Sequence, residues 1–167
     1  HEARGIGILV LQKFKKRLPF DMPDRLYEWA GKNYLDNWAL VDVTFPELMG
    51  AYLEQHPEKT GVLDRWAKSK NRWVRRASIV SLLKLTKKKE FQDGIYRMVS
   101  CHFQDQDDLI QKANGWLLRE VGKSDMQRLA MFLRKNGPAI PRTTLRYAIE
   151  RFEETLRKRI LIESRHR

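Results

Sequence analysis

The residues best placed to do chemistry are Trp38 and Asp42, in the stretch Asp36-Asn37-Trp38-Ala39-Leu40-Val41-Asp42. An Asp or Asn at its head can cap a short helix, predicted over 36–43. Residues four apart share a helix face, so the indole and the carboxylate stand one above the other. Thr44-Phe45-Pro46-Glu47 follows, with Thr and Glu three apart as in a capping box and a Pro suited to a first turn. This spacing predicts a break near residue 43 and a second helix over 45–56. Asp42 then sits just ahead of a positive helix end, which favours the ionised carboxylate. Such a carboxylate can stabilise positive charge developing on a substrate, or orient a water. By spacing alone the pair reads more simply as a core tryptophan and a spare helix cap, because no second carboxylate is marked out as a partner.

A second candidate is the run from Arg65 to Arg76, which carries Arg65, Lys68, Lys70, Arg72, Arg75 and Arg76 and no acid. Trp66 and Trp73 are interleaved with it. Cations alternating with aromatic rings suit a surface that grips a phosphate backbone. The alternative is a solvated helix face. Lys84 and Lys87-Lys88-Lys89 extend the bias, whereas Arg157-Lys158-Arg159 reads as a solvated face. Over the whole chain, 33 Lys and Arg against 21 Asp and Glu give a net charge of +12. A balance that basic points to nucleic acid before an anionic membrane surface, since no segment reads as a membrane anchor.

Other chemistries are poorly supplied. The single cysteine, Cys101, allows no internal disulfide and no thiolate metal site, and its neighbours Val99, His102 and Phe103 suggest a buried apolar role. His1, His56, His102 and His166 lack metal-ligand spacing, so neither metal nor cofactor is expected. No apolar run is long enough for a membrane span and no signal peptide is visible, which fits a cytoplasmic protein.

The chain reads as a single helical domain over its 167 residues. Further helices are predicted near 2–17, 22–34, 59–69, 71–87, 90–103, 106–121, 124–136, 141–152 and 153–163. In 106–121 the apolar positions Leu109, Ile110, Ala113, Trp116, Leu117 and Val121 are spaced by one, three or four. Helices of this length joined by short turns suggest stacked antiparallel pairs, an all-α solenoid with an extended concave face. A plain bundle satisfies the same periodicity.

Five motifs then occur in order: His1-Glu2-Ala3-Arg4, Asn37 to Asp42, Trp66 to Asn71, Trp73-Val74-Arg75-Arg76-Ala77, and Ile110 to Glu120. Together they resemble the DNA alkylation repair family typified by the bacterial glycosylase AlkD, from residue 1 to about 152. The resemblance implies HEAT-like repeats with a concave basic face, and excision of N3- and N7-alkylated purines from duplex DNA by a monomer. It assigns Asp42 as the catalytic carboxylate, with Trp38 and Trp116 lining the site. Arg76 becomes a DNA contact near the lesion, beside Trp73, Lys70, Arg72 and Lys68. Family members carry further helices before the His-Glu-x-Arg motif, so the chain, which opens at His1, is expected to lack them.

The chemistry suits one carboxylate. Glycoside hydrolysis ordinarily needs a second carboxyl group as acid. An N3- or N7-alkylpurine is already cationic and departs neutral, so only the charge developing on deoxyribose needs help. An aromatic face also attracts that cation. Two rival readings share the charge and the repeats: a non-catalytic binder of DNA structure, and a scaffold for an acidic protein segment. The set Trp38, Asp42, Arg76 and Trp116 separates the enzyme from both.

Overall fold

The computed structural model describes residues 2–164, so His1 of the first motif, and His166, lie outside the described residues. Among those residues every regular element is helical, as the all-α reading expects. Contacts divide the described residues into two compact units, one ending at Leu85 and the other beginning at Thr86.

The first unit is built around one long helix. Its elements are α1 (Glu2–Lys13), α2 (Met22–Gly31), α3 (Trp38–Gln55), α4 (Val62–Ala67) and α5 (Arg72–Val80), with short 3-10 turns at Lys15–Arg17, Pro57–Gly61 and Leu83–Leu85. Helix α3 packs against α1, α2 and α5. Val41, Phe45, Leu48, Met49, Tyr52 and Leu53 recur every three or four residues along it and are buried. Trp66 of α4 is fully buried among them, edge-on to Phe45 at 5.7 Å between ring centroids.

This packing overturns the predicted break near residue 43. Helix α3 runs unbroken through Pro46. A proline inside a helix costs about 3 kcal/mol. Burying each large apolar side chain of the stripe returns about 1.5–3 kcal/mol, so six of them outweigh the proline. The capping-box residues do other things. Thr44 is fully buried, with its hydroxyl unpartnered, and Glu47 binds Lys15 and Lys84. Pro46 has no N–H to offer the Asp42 carbonyl four residues back. At the next carbonyl, Val43, Gln12 of α1 donates its side-chain amide at 3.0 Å. Asp42 therefore lies in the second turn of a continuous helix, not ahead of a new one.

The second unit comprises α6 (Lys89–Cys101), α7 (Asp108–Gly122), α8 (Met126–Asn136), α9 (Arg142–Ala148) and α10 (Glu154–Glu163), with a 3-10 turn at Gly137–Ala139. Asp107 caps α7 and Asp125 caps α8, each carboxylate accepting a first-turn N–H. Of the predicted stripe on α7, Ile110, Ala113, Leu117 and Val121 are buried, and Leu109 and Trp116 are half-buried. Gly115 lets α9 approach so closely that a Cβ there would lie 2.7 Å from the Thr144 carbonyl oxygen. Cys101 is exposed, against the buried reading. Ile95, Met98, Val99 and His102 take the inward positions, and helical phase turns residue 101 outward.

Candidate functional site

The site of the first unit is an ion pair between two helices. Arg76 of α5 grips Asp42 of α3 with both arms of its fork. Its Nε donates to Oδ1 at 2.8 Å and its Nη2 to Oδ2 at 2.7 Å. The side chains are 7% and 13% exposed, so the pair is largely withdrawn from water. Such paired, charge-assisted bonds fix orientation as well as adding energy.

Trp38 is the first residue of α3 and is 58% exposed, so it is not the core tryptophan that spacing favoured. Neither is Asp42 a spare cap. Asn37 caps α3, its side-chain oxygen accepting the Leu40 N–H at 3.0 Å. The loop before it is held by Arg4, whose Nη1 donates to the Tyr34 carbonyl and to the Asp36 carboxylate, both at 3.0 Å. An indole thus stands in solvent one helical turn from a carboxylate locked by arginine.

The basic run does not act as one surface. Trp66 is core, facing Tyr27 and Phe45. The three-residue spacing of Leu63 and Trp66 carried that signal, since both lie on the buried side of α4. Arg65 pairs with Asp24 and lies over the Tyr27 ring. Arg75 donates to the backbone carbonyls of Ser69 and Lys70, both at 3.0 Å, and so shapes the turn between α4 and α5. Asn71 closes the Trp66 motif, but the sequence reading gave it no role. Its side-chain oxygen caps α5 at Trp73, and its amide reaches the Ala30 carbonyl and the Asn33 side chain at the end of α2. Asn33 itself adopts a left-handed backbone, φ 59°, which asparagine tolerates better than most residues.

What remains facing solvent is Lys68, Lys70 and Arg72, with Trp73 half-buried and the Arg72 guanidinium 6.0 Å from its ring centre. Arg72 and Trp73 stand four and three residues before Arg76, about one helical turn away on α5. Near the same helices, Glu47 accepts from Lys84 and from Lys15. Hydrogen bonds from Lys84 first, then Lys15, hold its carboxyl below the ordinary glutamate range against the opposing effect of burial. In the second unit Trp116 is half-buried on α7, and Arg119, three residues on, pairs with Glu150 and Glu120.

Comparison with known proteins relates the chain to a family and to a solved structure. A family model described as "DNA alkylation repair enzyme" matches residues 1–152. The fold is similar to the solved structure of a "Predicted DNA alkylation repair enzyme from Enterococcus faecalis", with a TM-score of 0.79 and 18% identity over 92% of this chain and 70% of that one. No curated protein matches the chain.

Proposed function

The chain belongs to the DNA alkylation repair enzyme family, and from that premise we propose that it is an AlkD-like DNA glycosylase hydrolysing the N-glycosidic bond of N3- and N7-alkylated purines in duplex DNA. Asp42 carries the chemistry. The cationic base leaves without a proton, and the carboxylate stabilises the positive charge that develops on the sugar. Trp38 and Trp116 supply aromatic faces for the sugar and backbone. Lys68, Lys70, Arg72 and Trp73 contact the phosphates, with Arg76 bridging to the site.

The observation that supports this most is the Arg76–Asp42 fork, with its largely desolvated carboxylate one turn below an exposed indole. A positioned, poorly hydrated charge stabilises a transition state without the cost of reorienting at the moment of reaction. In the unbound protein the guanidinium neutralises the carboxylate. A DNA phosphate competing for the same guanidinium strengthens the carboxylate's field at the sugar, so the pair couples binding to chemistry.

Both carboxylate oxygens are engaged by Arg76, and this favours a second reading, in which the pair is structural and the protein only binds DNA. One assay separates them. Methylated duplex is incubated with wild-type protein and with Asp42→Asn, and free 7-methylguanine and 3-methyladenine are measured beside duplex affinity. The glycosylase reading expects release by wild type, none by Asp42→Asn, and similar binding by both. Binding without release by wild type supports the second reading, and equal release by both removes Asp42 from the chemistry.

A further inference from the structure

The basic residues that the candidate site leaves unused include Lys87 and Lys89, at the start of the second unit. They border a cavity of about 430 Å³ whose other lining residues are Gln92, Ser124, Asp125 and Arg128. The cavity has a fastened floor. The Thr86 carbonyl accepts from the Gln92 amide and from the Ser124 hydroxyl, each at 3.4 Å, which ties the beginning of α6 to the segment before α8.

The charges around it can be assigned one by one. Asp125 is committed to capping α8, accepting the Arg128 backbone N–H at 2.8 Å. The Arg128 guanidinium pairs with Asp93, donates to the Gln92 side-chain oxygen at 3.1 Å, and lies over the Tyr96 ring at 4.9 Å. Lys87 and Lys89 are exposed and have no ion-pair partner among the described residues. Two ammonium groups two residues apart, beside a guanidinium, repel one another until an anion enters. Compact point charges of this kind suit a phosphate, and they read backbone without reading sequence.

We propose that this cavity is a second phosphate-holding site, which takes a backbone phosphodiester of the bound DNA between Lys87 and Lys89. The proposal rests on the DNA-repair reading above and adds to it a contact on residues 86–164 that the motifs did not mark.

The test is the salt dependence of binding to an undamaged duplex, for wild type, for Lys87→Gln/Lys89→Gln, and for Arg157→Gln/Arg159→Gln as a control of equal charge change on α10. Each lost phosphate contact lowers the slope of log K against log salt by about 0.9. The two lysines hold one phosphate, so the cavity variant is expected to lose about 0.9 of slope. Its affinity deficit against wild type then shrinks about 3.5-fold between 50 and 200 mM salt. The α10 control keeps the wild-type slope, and all three proteins melt alike, since the altered side chains are exposed.

An unchanged slope in the cavity variant overturns the proposal, and so does an equal loss in the control. Saturable binding of inorganic phosphate, followed through the Lys87 and Lys89 amide signals, together with an unchanged DNA slope, overturns it in favour of a small-anion site. Failure of the wild type to bind duplex at all is a distinct result and defeats the function proposed above.

Discussion

Removing the Arg76 guanidinium should cost far more than losing a surface charge. Exposed ion pairs contribute about 0.2–1 kcal/mol. Here the two side chains are 7% and 13% exposed and share two short hydrogen bonds. A charge-assisted bond of this kind is worth about 1.5–3 kcal/mol, and stranding one member of a buried pair costs about 3–5 kcal/mol. Arg76→Ala is therefore expected to lose about 3–5 kcal/mol, because Asp42 is left largely desolvated without its counter-charge. For a chain of this size that corresponds to roughly 6–20 °C in Tm. Adding Asp42→Ala to Arg76→Ala removes the stranded charge and should restore part of the loss. The double-mutant cycle then gives a coupling of about 2–3 kcal/mol. Urea denaturation of the four proteins at pH 7 measures all of these quantities. A loss below about 1 kcal/mol for Arg76→Ala, with coupling near zero, is the behaviour of a surface pair. That result would refute the claim that α5 holds the carboxylate in place.

Two further outcomes follow from the geometry. The Glu47 carboxyl is held below its ordinary value of 4.5, first by Lys84 and then by Lys15. A lowered native value means that the unfolded chain takes up the proton first. The stabilisation is thus present above the unfolded pKa and is lost as pH falls through the native one. Urea midpoints of wild type and Glu47→Gln should differ at pH 7, and the gap should narrow as pH falls below the ordinary value of 4.5; a gap that does not change on acidification contradicts this. In the second unit, a Cβ added at Gly115 would lie 2.4 Å from the Tyr147 Cβ and 2.7 Å from the Thr144 backbone oxygen. Backbone cannot swing aside, so Gly115→Ala should cost about 1–3 kcal/mol through overpacking of α7 against α9. A thermal melt shifted by less than a degree would show that α9 yields freely.

Much of the fold was legible because helical periodicity records burial. The stripe on α7 was readable because Ile110, Ala113, Leu117 and Val121 must all face one way. Trp38 and Asp42 were placed on one face by spacing, and they share the first two turns of α3. Local signals failed where they competed with the core. Thr44, Pro46 and Glu47 together look like the start of a helix, but Phe45, Leu48 and Met49 are buried on the α3 stripe that continues from Val41. Trp66 was misread for a related reason. Its cationic neighbours suggested a surface, whereas its helical phase with Leu63 put it in the core.

The amino-acid sequence by itself determined the all-helical character, the basic balance and the order of motifs that marks the family, since composition and periodicity are properties of the chain alone. Tertiary structure decided what each charge does. Arg75 and Arg76 are adjacent and chemically identical, yet one shapes a turn by binding carbonyls and the other locks Asp42. Successive helical residues point about 100° apart. Which of the two directions meets a carboxylate 34 residues away depends on the packing of α3 against α5, which no local pattern records.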